Sequence, residues 1–188
     1  PGHVVSCYGE TLSPEDLLSG CELMLAEAYS WREGQVPPLG PLGQNNRDSG
    51  GGEFGSQPGL INDVGGFTGD PQPAAGLNSV GLLATLWGRC TWIETDQGDP
   101  PIQKNFWIDD GSGLWDGTWT WWEQPALGVK ARVPDDLDWP IQIGDYYAVT
   151  GIMRTDTAYY YYTETEACVR WLWPRSTGDI VVYGIVPR

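Results

Sequence analysis

The sequence predicts an all-β fold, and three features support this prediction. The chain has 26 glycines and 15 prolines among 188 residues, a content that is typical of turn-rich β structure and too high for a helical protein. Aromatic residues make up 12% of the chain, which favours large packed surfaces over disorder. The second half contains several short runs in which apolar and polar residues alternate, as they do in a strand with one buried face.

The N-terminal region, residues 1–33, predicts a β-hairpin. Residues 2–9 (GHVVSCYG) and residues 21–29 (CELMLAEAY) each have the composition of a strand. A two-stranded hairpin is marginally stable alone in water, so its apolar side chains need a partner surface, either the rest of the chain or a neighbouring subunit. The residues that we assign to this assembly segment are Val4, Val5, Leu23 and Leu25.

Residues 34–76 predict a long extended arm. This stretch is rich in Gly and Pro and has neither helical nor strand periodicity. A structureless stretch of this length is unusual inside a compact domain. We therefore expect a linker, or an arm that lies along a surface.

Residues 77–188 predict a five-stranded Greek-key barrel. The run GLLATLWGRCTWIE (81–94) indicates a long first strand, in which Gly88 permits the sharp bend of a small barrel. One face of this strand is predicted to carry Leu82, Ala84, Leu86, Gly88, Cys90 and Trp92. The later strands are predicted in KNFWIDDGSG (104–113), GVKARV (128–133), GDYYAVTGIMRT (144–155) and ACVRWLWPRS (167–176), followed by a sixth β segment, DIVVYGIV (179–186).

Residues 77–184 resemble an OB-fold domain (oligonucleotide/oligosaccharide-binding fold) of the kind found in secreted bacterial proteins. The segments that carry the resemblance are GLNSVGLLATLWGRCT, FWIDDGSGL, GVKARVP, GDYYAVTGI and RWLWPRSTGDI. The preceding PLGQNNRDSGGG looks like the connector that comes before such domains in tandem arrays. The resemblance implies a fold and leaves the function open. Two insertions depart from the usual pattern, WDGTWTWWEQPA (115–126) and DTAYYYYTETE (156–166).

The N-terminal region also looks like part of a second, preceding OB barrel. Residues 2–9 echo residues 144–151, and Cys21 follows the first block roughly as Cys168 follows the second. A true repeat implies the fourth and fifth strands of a barrel whose first three strands are missing. Chance similarity is the alternative, because Gly followed by apolar residues is common.

The four cysteines predict disulfide bonds. An even number of cysteines without a CxxC pair fits an oxidising compartment better than a zinc site. Cys7 and Cys21 lie on the two arms of the predicted hairpin, and Cys90 and Cys168 lie on the first and fifth predicted strands of the barrel. We favour the bonds Cys7–Cys21 and Cys90–Cys168, and the two other pairings stay open.

The sequence gives little support to catalysis, and we expect a protein that is not an enzyme and has no cofactor or metal. His3 is the only histidine, and a strand position is a better interpretation of it than an activating base. The doublets at 109–110 and 135–136 lie in predicted turns. We prefer turn formation to glycosidase chemistry or calcium binding at these carboxylates. There is no Gly-rich phosphate-binding motif.

The aromatic insertions supply the candidates for a ligand site or a subunit interface. These residues are Trp115, Trp119, Trp121 and Trp122 in the first insertion, and Tyr159, Tyr160, Tyr161 and Tyr162 in the second. Loops of OB-folds bind oligosaccharides or single strands by stacking. Nucleic acid would also need a basic groove, for which the candidates are Arg89, Lys130, Arg132, Arg154 and Arg170. A glycan needs no such groove and is the favoured ligand, whereas a subunit interface is the alternative use of the rings.

The net charge and the first residue of the chain are used to predict its partners and its location. The net charge of −15 argues against nucleic acid and anionic membranes as partners, and no apolar run is long enough to predict a membrane span. We interpret Pro1 as the result of processing, most simply the loss of a secretory leader, which predicts an extracellular or cell-surface location. The favoured function is a secreted structural subunit that self-assembles with other copies into a filament, tube or surface layer. A glycan- or polymer-binding module of a cell-surface protein is the alternative.

Overall fold

The computed structural model of the chain describes residues 2–11, 25–37, 40–53, 59–63, 72–74, 76–96, 98, 102–120, 124–160 and 165–184. These residues confirm the all-β prediction, because they form strands and one short 3-10 turn at Thr177–Asp179 and no α-helix. No helix within these ranges has the length and apolar character needed to cross a membrane. The strands are β1 (Gly2–Thr11), β2 (Leu25–Val36), β3 (Leu42–Gly43), β4 (Ile61–Asp63), β5 (Gln72–Pro73), β6 (Leu83–Thr95), β7 (Gln103–Asp109), β8 (Trp115–Trp119), β9 (Pro125–Leu127), β10 (Val129–Arg132), β11 (Tyr146–Tyr160), β12 (Thr165–Trp173) and β13 (Ile180–Gly184).

Five strands close into a ring, which we call the five-stranded ring. β6 pairs antiparallel with β7, and β7 pairs antiparallel with β10. β10 pairs in parallel with β12, and β12 pairs antiparallel with β11. The antiparallel pairing of β11 with β6 completes the circle. Strand alternation in the sequence therefore produces a small sheet that closes on itself, with one set of side chains inside.

The interior of the ring is the hydrophobic core of the protein. On β6, the predicted inward face is confirmed for Ala84, Leu86 and Cys90, which are buried. Leu82 lies before the strand begins and is exposed, and Trp92 lies beyond a bulge and is partly exposed. The other strands contribute the buried residues Phe106, Ile108, Val129, Ala131, Tyr147, Val149, Met153 and Leu172.

Two glycines lie where the long strands exchange one neighbour for another. β6 pairs with β11 as far as Arg89 and with β7 from Arg89 onward, and Gly88 directly precedes this change. A Cβ atom at Gly88 would lie 2.6 Å from the carbonyl carbon of Asp109. β11 pairs with β6 as far as Ile152 and with β12 from Ile152 onward, and Gly151 directly precedes this change. A Cβ atom at Gly151 would lie 2.6 Å from the carbonyl carbon of Trp173. The structure thus shows a reason for glycine at position 88 that differs from the predicted bend, namely the close approach of the neighbouring backbone.

The predicted arm is attached to the ring by short strands. β3 pairs in parallel with β6, β4 pairs in parallel with β12, and β5 pairs with β4. The asparagine of the arm at position 46 is buried, and its side-chain amide donates a hydrogen bond to the Ile108 carbonyl over 2.8 Å. The described part of the arm thus lies along the ring surface.

The two insertions also contain strands. The first forms β8 and β9, which pair with each other in a small separate sheet. The second lengthens β11 and β12, whose pairing runs from Ile152 opposite Trp173 to Tyr160 opposite Thr165. Aromatic and Thr-rich sequence favours strand pairing, so the first insertion forms a separate small sheet and the second lengthens two strands of the ring.

The N-terminal hairpin is a separate two-stranded sheet. β1 and β2 pair antiparallel from Gly2 opposite Val36 to Thr11 opposite Leu25. Among the described strands, neither one is hydrogen-bonded to the five-stranded ring. The second strand overlaps the predicted 21–29 only in part and continues to Val36. Residue Leu23 lies outside the described residues, as do the side chains of Val4, Val5 and Leu25.

We predict that Gly88→Ala lowers the free energy of unfolding by about 2–3 kcal/mol, because the added methyl group must displace the backbone of β7. Urea denaturation followed by circular dichroism measures the change. The matched control is Gly43→Ala in β3, where no atom lies within 4 Å of the added carbon, and a loss of at most about 0.5 kcal/mol is expected there. Equal losses in the two variants would contradict the close-approach explanation.

Candidate functional site

Strand β13 is an exposed apolar edge of the sheet. It pairs with β11 on one side, and no described strand pairs with its other side. Its sequence, IVVYG, contains neither a charged residue nor a proline. Val181, Val182 and Tyr183 are all exposed. One edge of the strand, flanked by apolar side chains, is therefore unpaired within the described part of the chain.

An aromatic cleft lies beside this edge, on the outer face of β6, β11 and β13. It has a volume of about 400 Å³, and its walls carry Trp87 and Tyr183, which are 55% and 75% exposed. Tyr146 is a third exposed ring at the cleft. The residues that line the cleft are Thr85, Trp87, Gly88, Tyr146, Tyr147, Ala148 and Tyr183, so its lining carries no charged group.

A second surface, the mixed-charge groove, lies on the other side of the ring, where β7, β10 and β12 meet. It has a volume of about 490 Å³ and contains three lysine or arginine residues and three aspartates. Each cation faces one of these carboxylates. The N–O distances are 4.0 Å for Lys104–Asp96, 3.1 Å for Lys130–Asp156 and 3.5 Å for Arg132–Asp135. The charges of the lining cancel, so the groove lacks the net positive potential that a phosphate backbone requires.

Two tryptophans and an arginine stack at the rim of this groove. The rings of Trp171 and Trp173 lie 6.0 Å apart at an interplanar angle of 27°. The guanidinium carbon of Arg154 lies 4.8 Å from the Trp173 ring centre and 5.4 Å from that of Trp171. These distances are within the range of cation–π attraction. The Trp171 indole also donates a hydrogen bond to the Thr155 carbonyl over 3.0 Å, which fixes the ring.

The aromatic residues predicted as ligand or interface contacts differ in exposure, and only some of their side chains are described. Trp115 is only 6% exposed and packs edge-to-face against Trp119 with ring centres 4.7 Å apart, so it is a packing residue rather than a contact surface. Its indole donates to the Thr118 carbonyl over 2.8 Å, and Trp119 is partly exposed. Tyr159 and Tyr160 lie in β11, but their side chains are not among those described, and Trp121, Trp122, Tyr161 and Tyr162 lie outside the described residues.

The predicted basic groove is only partly assembled. Lys130, Arg132 and Arg154 lie at the mixed-charge groove. Arg89 is elsewhere, where its Nε donates to the Gly144 carbonyl over 3.3 Å. Arg170 is 2% exposed, so it cannot contact a ligand in a surface groove.

The first aspartate doublet, Asp109 and Asp110, accepts hydrogen bonds from the turn that follows it and from the arm. Asp109 accepts a hydrogen bond from the Gly113 amide over 2.9 Å, and Asp110 accepts one from the Asn46 amide over 2.8 Å. Partial burial raises the pKa of Asp110, but hydrogen bonds from Ser112 and Asn46 outweigh it and hold the pKa below the usual value. A general acid needs a raised pKa, so the environment of Asp110 opposes that role.

The predicted disulfide Cys90–Cys168 is wrong. Cys90 is a free thiol buried in the core, and the disulfide in which Cys168 takes part has its other half outside the described side chains. Arg89, the residue before Cys90, pairs with Tyr146 at the start of β11. Cys168 pairs with Thr157, near the other end of β11. At about 3.3 Å per residue, these positions are roughly 35 Å apart along the strand. Cys7 lies in β1 without a described side chain, and Cys21 is outside the described residues. Because Cys168 is disulfide-bonded and Cys90 is free, these two cysteines cannot be bonded to each other, and the predicted bond Cys7–Cys21 is wrong as well.

The sequence prediction missed Trp87, Tyr146, Trp171 and Trp173, which form the exposed aromatic surfaces. The alternation of inward and outward residues along the predicted strands could have identified them. Trp87 lies between the inward positions Leu86 and Gly88, and Trp171 and Trp173 flank the buried Leu172. Large rings at outward positions of predicted strands are the pattern that identifies such surfaces.

We predict that Cys90 resists alkylation in the folded protein. Burial is the main cause that raises its pKa from 9.0 to about 12. Mass spectrometry after iodoacetamide treatment at pH 8 should show labelling at least about a hundredfold slower than in denaturant. Because the thiol ionises more readily in the unfolded chain, its contribution to stability is full below about pH 9 and is lost as the pH rises toward 12. Similar rates in the two states would show that the thiol is accessible.

Comparison with known proteins provides no relative from which a function could be transferred. The surfaces that bear on function are therefore the apolar edge, the aromatic cleft and the mixed-charge groove. No protein-family model matches the chain, and neither a curated protein nor a solved structure is similar to it.

Proposed function

We propose that the chain is a non-enzymatic structural subunit that polymerises by adding its N-terminal hairpin to β13 of the next copy. Strand β13 carries this proposal. Natural sheets protect their edges with charged residues, proline or a covering segment, because an apolar edge pairs with other chains. IVVYG has no charge and no proline, and its three central side chains are exposed. The absence of such protection favours an edge that is used for pairing.

The hairpin is the proposed donor. It forms its own sheet, and the outer edges of β1 and β2 are not paired with other described strands. A hairpin alone is marginally stable and gains stability when a further strand extends its sheet. Strand addition provides this through backbone hydrogen bonds to a sheet edge. Each partner therefore has a strand edge that no described strand pairs, and hydrogen bonds between the two edges would satisfy both.

Addition of a hairpin to a different element of the next copy is a heterologous contact. Such contacts give open polymers when the rotation between copies does not close a ring. The net charge of −15 keeps polymers apart laterally and in solution. We accordingly propose a filament, tube or surface layer made of one kind of subunit.

We also propose that the five-stranded ring is an OB-fold barrel in an extracellular or cell-surface protein. The ring order β6–β7–β10–β12–β11, with a parallel pair between β10 and β12, supports the fold, since an OB-fold is a five-stranded Greek-key barrel. The disulfide bond of Cys168 supports the location, because such bonds persist in oxidising compartments.

Glycan binding is the second candidate function, and the mixed-charge groove is the observation that favours it. In OB-folds, the second and third strands carry the ligand face, and here β7 and β10 contribute much of the groove. The stacked Trp171 and Trp173 at its rim offer apolar faces to a sugar ring. A saturable titration with oligosaccharides that is lost in Trp173→Ala would favour this function over assembly.

We predict that the full chain forms polymers and that Val181→Lys prevents them, because a charged residue on an edge strand opposes pairing. Val181 is exposed, so the fold should persist. Sedimentation velocity and negative-stain microscopy measure the assembly, and circular dichroism confirms folding. The matched control is Ile143→Lys, which places the same charge at an exposed apolar position outside β13 and should leave polymers intact.

Compact, monodisperse wild-type particles over a range of salt and protein concentrations would overturn the proposed function. Polymers that persist in Val181→Lys would show that assembly uses a surface other than β13.

A further inference from the structure

The aromatic cleft is a depression with an exposed ring on each side. Strand β11 lies between β6 and β13 in the sheet, and Ala148 of β11 pairs with Trp87 of β6. The cleft is lined by the small residues Gly88 and Ala148 and by the exposed rings of Trp87, Tyr146 and Tyr183. Rings from β6 and β13 therefore stand on either side of a low floor.

The spacing of the strands leaves room for one flat ring between these two sides. Neighbouring strands lie about 4.8 Å apart, so β6 and β13 are about 10 Å apart across β11. A ring in contact with an aromatic side chain lies about 3.5–4 Å from it, so contact on both faces takes about 8 Å. The cleft volume of about 400 Å³ is also within the usual range for small-molecule sites. The occupant that fits is a six-membered ring that can pack against aromatic carbon with both faces.

The lining of the cleft favours an uncharged occupant. Among the described residues, the lining contains no Asp, Glu, Lys or Arg, so no side chain there can pair with an ionic ligand. The net charge of −15 also repels anions from the chain as a whole. A neutral molecule meets neither obstacle.

The polar atoms of the cleft favour hydroxyl groups on the occupant over a purely apolar molecule. The described lining contains no Leu, Ile, Val, Met or Phe, and its exposed rings are one tryptophan and two tyrosines. The polar atoms of these three rings make no hydrogen bond to another described residue. The hydroxyls of Thr85, in the lining, and Thr150 share a hydrogen bond of 2.7 Å, which uses one of their two hydrogens and leaves the other free to donate. The cleft thus offers apolar ring faces and hydrogen-bonding groups together.

A neutral sugar ring with equatorial hydroxyls combines the required properties. Its two faces carry only C–H groups, whose hydrogens are attracted to the negative faces of aromatic rings, and its hydroxyls lie around the rim. An axial hydroxyl would instead project from one face toward an aromatic ring. β-linked glucose has every ring substituent equatorial and so presents two apolar faces.

We propose that the aromatic cleft is a binding site for a neutral oligosaccharide of β-linked glucose, in which Trp87 and Tyr183 stack on the two faces of one sugar ring. The hydroxyls of Thr85 and Tyr146 are the hydrogen-bonding groups for the rim of the sugar. This site is separate from the mixed-charge groove and from the outer edge of β13, so it goes beyond both proposed functions and requires neither of them.

The test is a calorimetric titration of cellotetraose, an oligosaccharide of β-linked glucose, into dilute full chain. Saturable binding is expected, and Tyr183→Ala and Trp87→Ala should each weaken it by about tenfold or more, as truncation of a central aromatic contact does. Tyr183→Phe keeps the ring and should weaken binding by no more than about threefold. Tyr183 is the safer position for folding because most of its side chain is exposed, and circular dichroism checks the fold of each variant.

Two controls separate the cleft from other surfaces and from general stickiness. Trp173→Ala removes an exposed ring at the mixed-charge groove and should leave cellotetraose binding unchanged. An oligosaccharide of galacturonic acid, which carries a carboxylate and an axial hydroxyl on each sugar, should not bind.

The outcomes keep the sugar site distinct from the proposed functions. If cellotetraose does not bind saturably, or binds equally to Tyr183→Ala, Trp87→Ala and the wild type, the cleft is not a sugar site, whether or not polymers form. Binding that is lost in Trp173→Ala and kept in Tyr183→Ala would overturn the cleft site and place the sugar at the mixed-charge groove. If cellotetraose binds in the cleft but the chain never polymerises, the sugar site stands and the proposed assembly fails.

Discussion

The close approach of backbones at Gly88 and Gly151 is the constraint on which the structure depends. Each glycine lies where a long strand exchanges one neighbour for another, and at each position a Cβ would lie 2.6 Å from a carbonyl carbon of a neighbouring strand. Without these approaches β6 and β11 could not each serve two parts of the sheet. The close approaches allow the ring to close. Closure buries Leu86 of β6 and Val149 of β11, and it directs the alternate residues of both strands outward.

Closure also decides which surfaces remain for partners. Strand phase buries one set of residues and directs the alternate set outward, which exposes Trp87 on one side of the ring and Trp173 on the other. Charge then distinguishes the two sides. The groove beside Trp173 balances its lysines and arginine against aspartates, whereas the cleft beside Trp87 has no charge in its lining. In a chain of this acidity, the uncharged side is the one that copies can share at least electrostatic cost.

The sequence was sufficient for the fold class and for most strands, because alternation and glycine placement act locally. The inward face of β6 could be predicted for this reason. That Cys90 is a free thiol could not be predicted, since two strands can share a phase while the two cysteines lie beside opposite ends of β11. The role of Trp115 was equally inaccessible, because its burial depends on how β8 and β9 fold against each other. The surfaces beside Trp87 and Trp171 form only when strands distant in sequence become neighbours.

The proposed assembly requires that β13 of one copy pairs with the hairpin of another. Amide hydrogen exchange at residues 180–184, measured by mass spectrometry in dilute and concentrated protein, tests this directly. In an edge strand about half of the amides point away from the neighbouring strand and exchange freely. We expect exchange in β13 to slow as polymers form, while exchange of the β6 amides in the ring remains unchanged. Polymers in which β13 exchanges as fast as in the dilute protein would contradict it.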